Sequence, residues 1–519
     1  MLRPILFFLA LPLAAQTLMP CDENCSDTSD TEPGKSSTRL ATTKIRRTIH
    51  RPTNAALFQS AIDSARGGDE IHLTAGVTYT GNFRLPGKPS LVTIRTSNLS
   101  WSSPGVRVAP FNAPKMARIQ SPNEQPALFF GKSAGNWSII GVEIAGAASA
   151  HTINVVLIGD LGGATSTSEF PNNISIERSY VHGDSVLGGR RGILTTGTNI
   201  TVKDSYISDF FAPGNDTQAI LVCEGLGPTL IENNFLEAAG ENLFLAQEST
   251  LIRGHYPENI RIRRNHLKKR LGWKPPNSVV VKNLFEIKSA RHVIFEDNVL
   301  ENNWASHQNG FAVLFTCRDE NGDNACEIID VVFRNNKIMN TANGIALLGK
   351  DDSAGNIGRV SGIRIENNLL VGPVGRGFLF LNGIENVAVS HNTFAGTTSQ
   401  TWVSDQQQNG NITFINNIVG RGEYGMFHSG VGEGTASILA GWRSFDIRGN
   451  VLWPPPCCSQ PYPPANAMAA NLGAVGFTDA PNGNFRLSRT STYFSYGVGG
   501  VTPGVNQEAV ERAITGVVQ

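Results

Sequence analysis

Short runs of alternating hydrophobic and polar residues recur along the chain from about residue 170. Each unit is a β-branched strand, a polar residue, a small amide or hydroxyl residue and a second short strand, as in NITVKDSYI and NIRIRRNHL. Successive units are 24 to 38 residues apart, and a repeat of this period with variable insertions predicts a solenoid. The small amide or hydroxyl residue is the seventh of each unit: Ser179, Ser205, Asn234, Asn265, Asn298, Asn336, Asn368, Asn392, Asn417 and Asn450.

These turn residues and the short strands around them define one architecture. An asparagine at each tight turn tolerates the left-handed conformation and can bond the backbone of the next coil, so we expect an internal ladder. A second strand motif precedes each unit, as in QAILVCEG and NLFEIKS. No helical pattern separates the strands, so parallel pairing must come from the stacking of coils. The pattern predicts an all-β, right-handed parallel β-helix of about ten or more coils.

A short capping helix is expected before the first coils. Thr53-Asn54 is a fair helix cap, and the apolar residues from Leu57 to Ala65 share one helical face that Gly67-Gly68 ends. Two short strands, residues 69–73 and 76–81, should follow. We assign residues 51–495 to the β-helix and residues 496–519 to a C-terminal tail.

The N-terminus has the order of a secretory signal. Arg3, the apolar run 5–13 and Ala14-Ala15 predict a signal peptide over residues 1–15, and the alternative is a retained anchor. The polar residues 16–50 predict a flexible linker. Equal numbers of basic and acidic residues, 43 each, give no electrostatic case for nucleic acid or anionic lipid. We expect a secreted protein, extracellular or periplasmic, that is monomeric and free of the membrane after cleavage.

Seven cysteines are an odd number for an exported chain. Cys21 with Cys25, and Cys317 with Cys326, are close enough in sequence to pair. Adjacent Cys457 and Cys458 are ambiguous. Cys223 lies in an apolar strand and is expected to be a small buried hydrophobic residue rather than a nucleophile.

The capping helix, the run GGDEIHLTAGVTYTGNF, the asparagine repeats and the closing GNFRLSRTSTY resemble the pectate-lyase-like superfamily of secreted bacterial β-helix proteins. This resemblance covers about residues 50–495. It implies a polysaccharide partner, and a groove along one stacked sheet that outward side chains and neighbouring loops line.

The motif NLFEIKS places two charged residues on that outward face. Alternation turns Phe285 and Ile287 inward and leaves Glu286 and Lys288 outward, where neighbouring coils carry apolar or small residues. Two interpretations stay open: a structural ion pair beneath a loop, or a working site.

Eliminative cleavage of a uronate polymer supplies a chemistry for such a site. It needs a base for the C5 proton, a cation for the carboxylate and a proton donor for the leaving oxygen. Lys288 flanked by Arg291, with Arg318 at the end of the next coil's strand, could provide these groups. The segment is similar to the alginate lyase and chondroitinase B group, which implies that carboxylates bind calcium there. On that resemblance Glu286 would be a metal ligand, and Glu241 and Asn242 one coil earlier could supply further oxygens.

Other polar residues offer weaker sites. His182 and Asp184 with Arg190 and Arg191 could grip sugar carboxylates, or the arginines could cap strand ends. Three carboxylates are either calcium ligands or ordinary turn residues. The acidic segment 319–323, with Glu327 and Asp330, is either a calcium loop or an ordinary loop closed by a Cys317–Cys326 disulfide. Three tryptophans could stack on sugars or cover coils. The carboxylates are Asp209, Asp216 and Glu224, and the tryptophans are Trp273, Trp304 and Trp402.

Absent motifs narrow the function. The paired aspartates, Gly-His-Gly and Arg-Ile-Lys typical of polygalacturonate hydrolases do not occur, nor does a phosphate loop, a Cys/His zinc cluster or a Gly-x-Ser-x-Gly elbow. Three hypotheses remain: a polysaccharide lyase acting on an acidic glycan, another β-helix hydrolase or epimerase, and a non-catalytic glycan-binding or surface solenoid.

Overall fold

The structure is a computed structural model that describes residues 47–160, 163–247, 252, 254–318, 325–351, 357–456 and 461–518. These residues belong to one compact unit, Arg46–Gln519. Its strands pair in parallel from coil to coil and form a right-handed parallel β-helix, which confirms the fold predicted from the repeats. The predicted signal peptide, residues 1–15, and all but the end of the predicted linker lie outside the described residues.

Each complete coil contributes one strand to each of three sheets, which we number in chain order. Two long strands, Phe83–Thr96 and Leu128–Ile140, turn the corner between sheets 1 and 2. Sheet 1 continues through the strands of the NLFEIKS-type motif: Asn154–Ile158, Arg191–Thr195, Gln218–Cys223, Glu241–Ala246, Phe285–Ile287, Phe311–Thr316, Asn343–Leu348, Val374–Leu381, Thr397–Val403 and Gly425–His428.

Sheets 2 and 3 hold the two strands of each repeat unit. Besides the two long strands, sheet 2 contains Ile49–His50, Glu70–Leu73, Asn172–Glu177, Thr198–Lys203, Thr229–Glu232, Glu258–Arg263, Ala290–Glu296, Ala325–Arg334, Ile357–Glu366, Glu385–Ser390, Asn409–Ile415 and Trp442–Arg448. Sheet 3 contains Thr78–Thr80, Arg118–Gln120, Glu143–Ala145, Tyr180–His182, Tyr206–Phe210, Phe235–Ala238, His266–Lys268, Val299–Asn303, Lys337–Thr341, Leu369–Val371, Thr393–Phe394, Ile418–Gly420, Val451–Trp453 and Ala467–Met468.

The asparagine ladder runs through the turn between sheets 2 and 3. The side-chain Oδ1 of Asn298 accepts the backbone N–H of Asn265 at 2.8 Å, and Asn336 does the same for Asn298 at 2.9 Å. The left-handed residue of each turn is the one before the ladder residue, such as Arg264 with φ 57° and Asp297 with φ 60°. The ladder is confirmed, and the left-handed position lies one residue earlier than we expected.

The N-terminal helix α1, Ala55–Ser64, caps the first coils as predicted. The side chain of Asn54 accepts the N–H of Leu57 at 2.9 Å, and Phe58, Ala61 and Ile62 are buried. Leu57 itself is 49% exposed, because the apolar face of this short helix is narrower than the sequence spacing indicated. Two shorter helices, α2 (Thr435–Gly441) and α3 (Gln507–Ala513), lie near the C-terminus. No helix among the described residues is long and apolar enough to cross a membrane.

Both ends of the predicted β-helix domain need correction. Ile49–His50 already pairs with Glu70–Leu73, so the coils begin inside the region predicted as linker. The predicted tail is a packed segment: Val505 and Val510 are buried against Leu369 and Phe485. A hairpin of Phe477–Asp479 and Asn484–Leu487 precedes it.

Two of the cysteine predictions are confirmed. Cys317 and Cys326 form a disulfide with their Cα atoms 5.6 Å apart, and Cys223 is buried in its apolar strand. Cys21, Cys25, Cys457 and Cys458 lie outside the described residues.

Candidate functional site

The outward side chains of sheet 1 form a continuous row, one residue per coil. From Leu157 onward, strand register aligns apolar residues along this row, and Glu286 is the one charged member of that stretch. The row runs Leu157, Leu194, Leu221, Phe244, Glu286, Leu314, Ala346, Leu379, Val403 and Phe427. An ionisable group in an otherwise apolar row is the feature that first distinguishes this coil.

Glu286 is a buried carboxyl group. Its side chain is almost completely covered, since only 2% of the residue is exposed, and its Oε2 has no hydrogen-bond partner among the described residues. Burial raises its pKa to about 8, and the nearby negative charge of Glu241 adds to this effect. Lys288 and Lys282 act in the opposite direction. At neutral pH this carboxyl is therefore mostly protonated.

Lys288 does not form the direct ion pair with Glu286 that one interpretation required. Within the described part of the chain, no contact of 4.0 Å or less joins their charged atoms. The Lys288 ammonium instead lies 5.1 Å from the centroid of the Phe244 ring, in cation–π geometry.

Arg318 stands on the coil after Lys288, at the same corner between sheets 1 and 2. Its backbone N–H donates to the Lys288 carbonyl oxygen at 3.3 Å. Its guanidinium lies 3.5 Å from the carboxylate of Asp351, and the side chain is 47% exposed. The structure thus brings two of the three predicted catalytic cations together.

Arg291, the third predicted cation, lies on sheet 2. Its Nε donates to Glu327 at 2.8 Å, and its guanidinium covers the Tyr256 ring at 4.7 Å. The chain turns at Ser289, so a residue three positions after Lys288 faces a different side of the coil. Arg291 is therefore part of the charged surface of sheet 2.

A second row, of polar side chains, lies where the strands of sheet 1 begin, and it contains two of the predicted site residues. Arg191 Nε donates to Gln218 Oε1 at 2.9 Å, and Gln218 Nε2 donates to Glu241 Oε2 at 2.7 Å. The ammonium of Lys282 lies 3.6 Å from Glu241 and also bonds Asp216. Arg191, which was predicted to bind substrate, and Glu241, which was predicted to bind a metal, are thus linked through Gln218.

Asn242 does not belong to a metal site with these carboxylates. Its Nδ2 donates to the Leu236 and Lys268 carbonyls at 2.8 Å each, and its Oδ1 accepts from the fully buried Lys269 at 2.9 Å. The side chain is used inside the coil because it closes the turn between sheets 3 and 1. Burial also lowers the pKa of Lys269 to about 7.

The calcium set expected from the resemblance is not assembled. Among the described residues, no three His, Cys, Asp or Glu side chains are placed to hold a metal ion. Glu241 is engaged with Gln218 and Lys282, and Glu286 lies in an apolar row near two lysines. This donor set does not fit a hard divalent cation, which requires several converging oxygens.

His182 and the arginine pair lie on different sheets. His182, on sheet 3, contacts Glu143 through Nε2 at 3.0 Å and stacks on Tyr180 at 4.3 Å. Arg190 and Arg191 begin a strand of sheet 1, where the Arg190 N–H donates to Thr152 O. Asp184 caps its own loop by accepting the N–H groups of Val186 and Leu187. The predicted four-residue cluster is therefore not one site.

The remaining carboxylates and the tryptophans mainly support the structure. Asp209 pairs with Arg270, and Asp216 pairs with Lys282. Glu224 is buried in a left-handed turn. Trp273 and Trp304 are buried in a cluster formed by loops beside sheet 1, and Trp402 is in the core, so none is an exposed sugar platform. The acidic segment 319–324 lies outside the described residues.

Sequence reasoning missed a groove on sheet 1 just after Glu286. It has a volume of about 320 Å³, with Leu314, Thr316 and Leu348 on its floor and His307 and Asn309 on one side. Its signal in the sequence was the run of apolar outward positions, which became informative only once the strands were aligned coil by coil.

Several solved structures align with most of this chain at low sequence identity. No family model and no curated protein matches the chain. An alginate lyase from Paenibacillus sp. strain FPU-7 aligns over 81% of this chain and 99% of its own, with 13% identity and a TM-score of 0.24. The A-module of a mannuronan C-5 epimerase from Azotobacter vinelandii aligns over 77% and 95%, with 16% identity and a TM-score of 0.46. The catalytic domain of a GH87 α-1,3-glucanase aligns over 78% and 68%, with 12% identity and a TM-score of 0.48.

The class of protein follows from the strand pairing of the chain itself. It is a right-handed parallel β-helix protein.

Proposed function

We propose that this protein is a secreted, monomeric polysaccharide lyase that cleaves an acidic, uronate-containing glycan on the outward face of sheet 1. The observation that carries the proposal is the placement of Lys288 and Arg318 on successive coils at one corner, joined by a backbone hydrogen bond of 3.3 Å. An arginine next to a lysine can receive a sugar carboxylate, and bidentate recognition of a carboxylate suits arginine.

Each residue has a role in this reaction. Arg318 holds the uronate carboxylate and stabilises the negative charge that develops when C5 loses its proton. Lys288 takes the C5 proton, the electron pair of that C–H bond forms the C4–C5 double bond as the glycosidic C4–O bond breaks, and Lys288 passes the proton on to the leaving oxygen. Glu286 is a mostly protonated carboxyl two residues from Lys288, so it adds little negative charge that would repel the substrate. No step is assigned to calcium, because the donor set does not fit it.

The test is turnover on a panel of uronate polymers, followed by the ultraviolet absorbance of the unsaturated product. Lys288→Ala and Arg318→Ala should each abolish elimination while melting stays close to wild type, because these side chains contribute little to the core. Lys337→Ala, which removes a lysine from sheet 3, is the matched control and should retain full activity. Retained turnover in Lys288→Ala would contradict its role as the base. The same assay with and without a chelator tests metal dependence separately.

A non-catalytic glycan-binding solenoid is the second candidate. The observation that favours it is the burial of the sheet 1 row from Leu194 to Glu286, which leaves little of that floor accessible to a sugar. Under this alternative the wild-type protein binds acidic glycans on another part of its surface and releases no unsaturated product from any of them.

A further inference from the structure

A cavity of about 610 Å³ lies where the C-terminal segment crosses the turn between sheets 2 and 3, and we call it the C-terminal cavity. The turn residue His391, the end of the hairpin strand Asn484–Leu487 and residues 502–508 contribute to its lining. Its volume lies within the range of about 300–1,000 Å³ that is typical of small-ligand pockets. Lys288 and Arg318 do not line it, so it is separate from the site proposed above.

The walls of the C-terminal cavity are held in place by the protein itself. The N–H of Gly504 donates to the Asn416 carbonyl at 2.7 Å, and the N–H of Val505 donates to Thr393 Oγ1 at 3.0 Å. Val505 and the hairpin residue Leu487 are buried. Because these walls are already ordered, binding in the cavity costs little conformational entropy.

Arg489 gives the C-terminal cavity a positive charge that the protein does not compensate. No hydrogen bond or ion pair of its guanidinium occurs in the described part of the chain, and the side chain is exposed. The other charged lining residues are paired: Arg486 lies 2.5 Å from Glu511, and Glu508 lies 3.3 Å from Arg512. These two pairs are neutral as a whole, so Arg489 leaves one net positive charge at the cavity.

The rest of the lining suits a sugar ring better than a small inorganic ion. Phe494 and Pro503 contribute apolar atoms, and Thr502 and Asn506 carry groups that hydrogen-bond to hydroxyls. Burial lowers the pKa of His391, so its imidazole is neutral at physiological pH and adds no charge. A guanidinium beside apolar and hydroxyl-binding groups matches the chemistry of a sugar that carries a carboxylate.

We propose that the C-terminal cavity is a second glycan-binding site, in which Arg489 binds the carboxylate of a uronate unit and Phe494 contacts the sugar ring. A guanidinium can form two parallel hydrogen bonds to one carboxylate, which fixes the orientation of the sugar. The site takes no part in bond cleavage. It holds an acidic glycan on the turn between sheets 2 and 3, away from sheet 1, so the inference goes beyond the proposed function and does not depend on elimination.

Protection of Arg489 from chemical modification tests the inference in the full chain with Lys288→Ala, which leaves a glycan uncleaved. Phenylglyoxal modifies guanidinium groups, and peptide mapping by mass spectrometry gives the rate at each arginine. The probes are trimers of galacturonate, mannuronate and guluronate, a neutral glucose trimer, and sodium sulfate. At least one uronate trimer should slow modification of Arg489 about fivefold or more near saturation, whereas the neutral trimer and sulfate should not. Arg448, an exposed arginine of sheet 2, is the control and should react equally with every probe.

Calorimetry measures the contribution of Arg489 to affinity. The double variant Lys288→Ala and Arg318→Ala removes both cations of the proposed site on sheet 1, so the binding that remains reports on the C-terminal cavity. In this background Arg489→Gln should weaken binding of the protecting trimer about fivefold. Arg489→Lys should keep part of the affinity, because it retains the charge and loses the bidentate contact.

The matched control is Arg448→Gln, which makes the same charge change at an exposed arginine of sheet 2 and should bind like its parent. No protection of Arg489 by any uronate trimer, equal protection by sulfate, or unchanged affinity in Arg489→Gln overturns the inference. The two proposals fail separately. If no uronate polymer is cleaved but a uronate trimer protects Arg489, the lyase assignment fails and the second glycan site stands. If elimination occurs and Arg489 is not protected, the reverse holds.

Discussion

At the scale of single residues, the most informative position is Glu286. An alternating strand puts every second side chain outward, and the outward row of sheet 1 is apolar on both sides of this carboxyl. Phe244 and Leu314 flank it on neighbouring coils, and Glu241, Lys282, Lys288 and Asp216 supply the charges around it. Burial is the largest cause of its raised pKa, so its protonation state is coupled to folding.

Glu286 should make the protein less stable as pH rises. The pKa of Glu286 is about 8 in the folded protein and near 4.5 in the unfolded chain. Between pH 4.5 and pH 8 the folded protein therefore keeps a proton on this carboxyl that the unfolded chain releases. The free energy of unfolding should fall across this window, by up to a few kcal/mol from this group. Glu286→Gln removes the titration, so its stability relative to wild type should increase from pH 5 to pH 8.5.

Urea unfolding of both proteins at several pH values measures this difference. Lys269, whose lowered pKa acts in the opposite direction, is present in both proteins, so its contribution largely cancels. A difference in stability that does not change with pH would show that Glu286 is ionised in the folded state.

At the scale of elements, the turn between sheets 2 and 3 fixes the register of the coils. Each ladder asparagine accepts a backbone N–H from the preceding coil, and its Nδ2 donates to carbonyl oxygens. Asn298 donates to Glu296 O at 2.8 Å and to Ile262 O at 3.1 Å. Since these groups are buried, any that lose their partner remain unpaired inside the protein.

Asn298→Leu should therefore destabilise the protein by about 1–3 kcal/mol. The substitution leaves the Asn265 N–H and the Ile262 carbonyl without partners. Chemical denaturation measures the loss, and Asn411→Leu, at an exposed position of sheet 2, is the control that should change stability little. Equal unfolding midpoints for the Asn298 variant and wild type would contradict the role of the ladder.

At the scale of the whole molecule, the C-terminal segment connects coils that are far apart in sequence. Arg107 lies in the long connection between the strands Phe83–Thr96 and Arg118–Gln120. It donates to the Val517 carbonyl at 2.8 Å and to the Asn233 carbonyl at 2.9 Å. Arg264 bonds the carbonyls of Ala513 and Thr515. The segment thus runs along the outside of sheet 3 and covers apolar residues there.

A chain that ends at Gly504 should be less stable by several kcal/mol. Removal of the last residues exposes Leu369 and leaves the buried Arg107 without one of its acceptors, and each buried apolar side chain that is lost contributes about 1.5–3 kcal/mol. Thermal melting and binding of an apolar dye measure the change. Removal of only residues 518–519 is the control, since Val518 is half exposed. An unchanged melting temperature in the longer deletion would indicate that the segment packs too weakly to matter.

The sequence alone determined the features that depend on local order. The period-two alternation that put Phe285 inward and Glu286 outward, the turn asparagines, the capping helix and the Cys317–Cys326 pair follow from residues close together in the chain. The same alternation predicted that Lys288 and Arg318 end successive strands of one sheet.

Only the tertiary structure decided what each side chain meets across coils. The loops between strands vary in length, so the sequence did not show that Asn242 closes a turn from inside or that Arg291 pairs with Glu327 on sheet 2. Burial of Trp273 and Trp304 likewise depends on loops from different coils packing together. Local periodicity fixes the direction of a side chain, whereas its partners are fixed by the register and packing of coils that lie tens of residues apart.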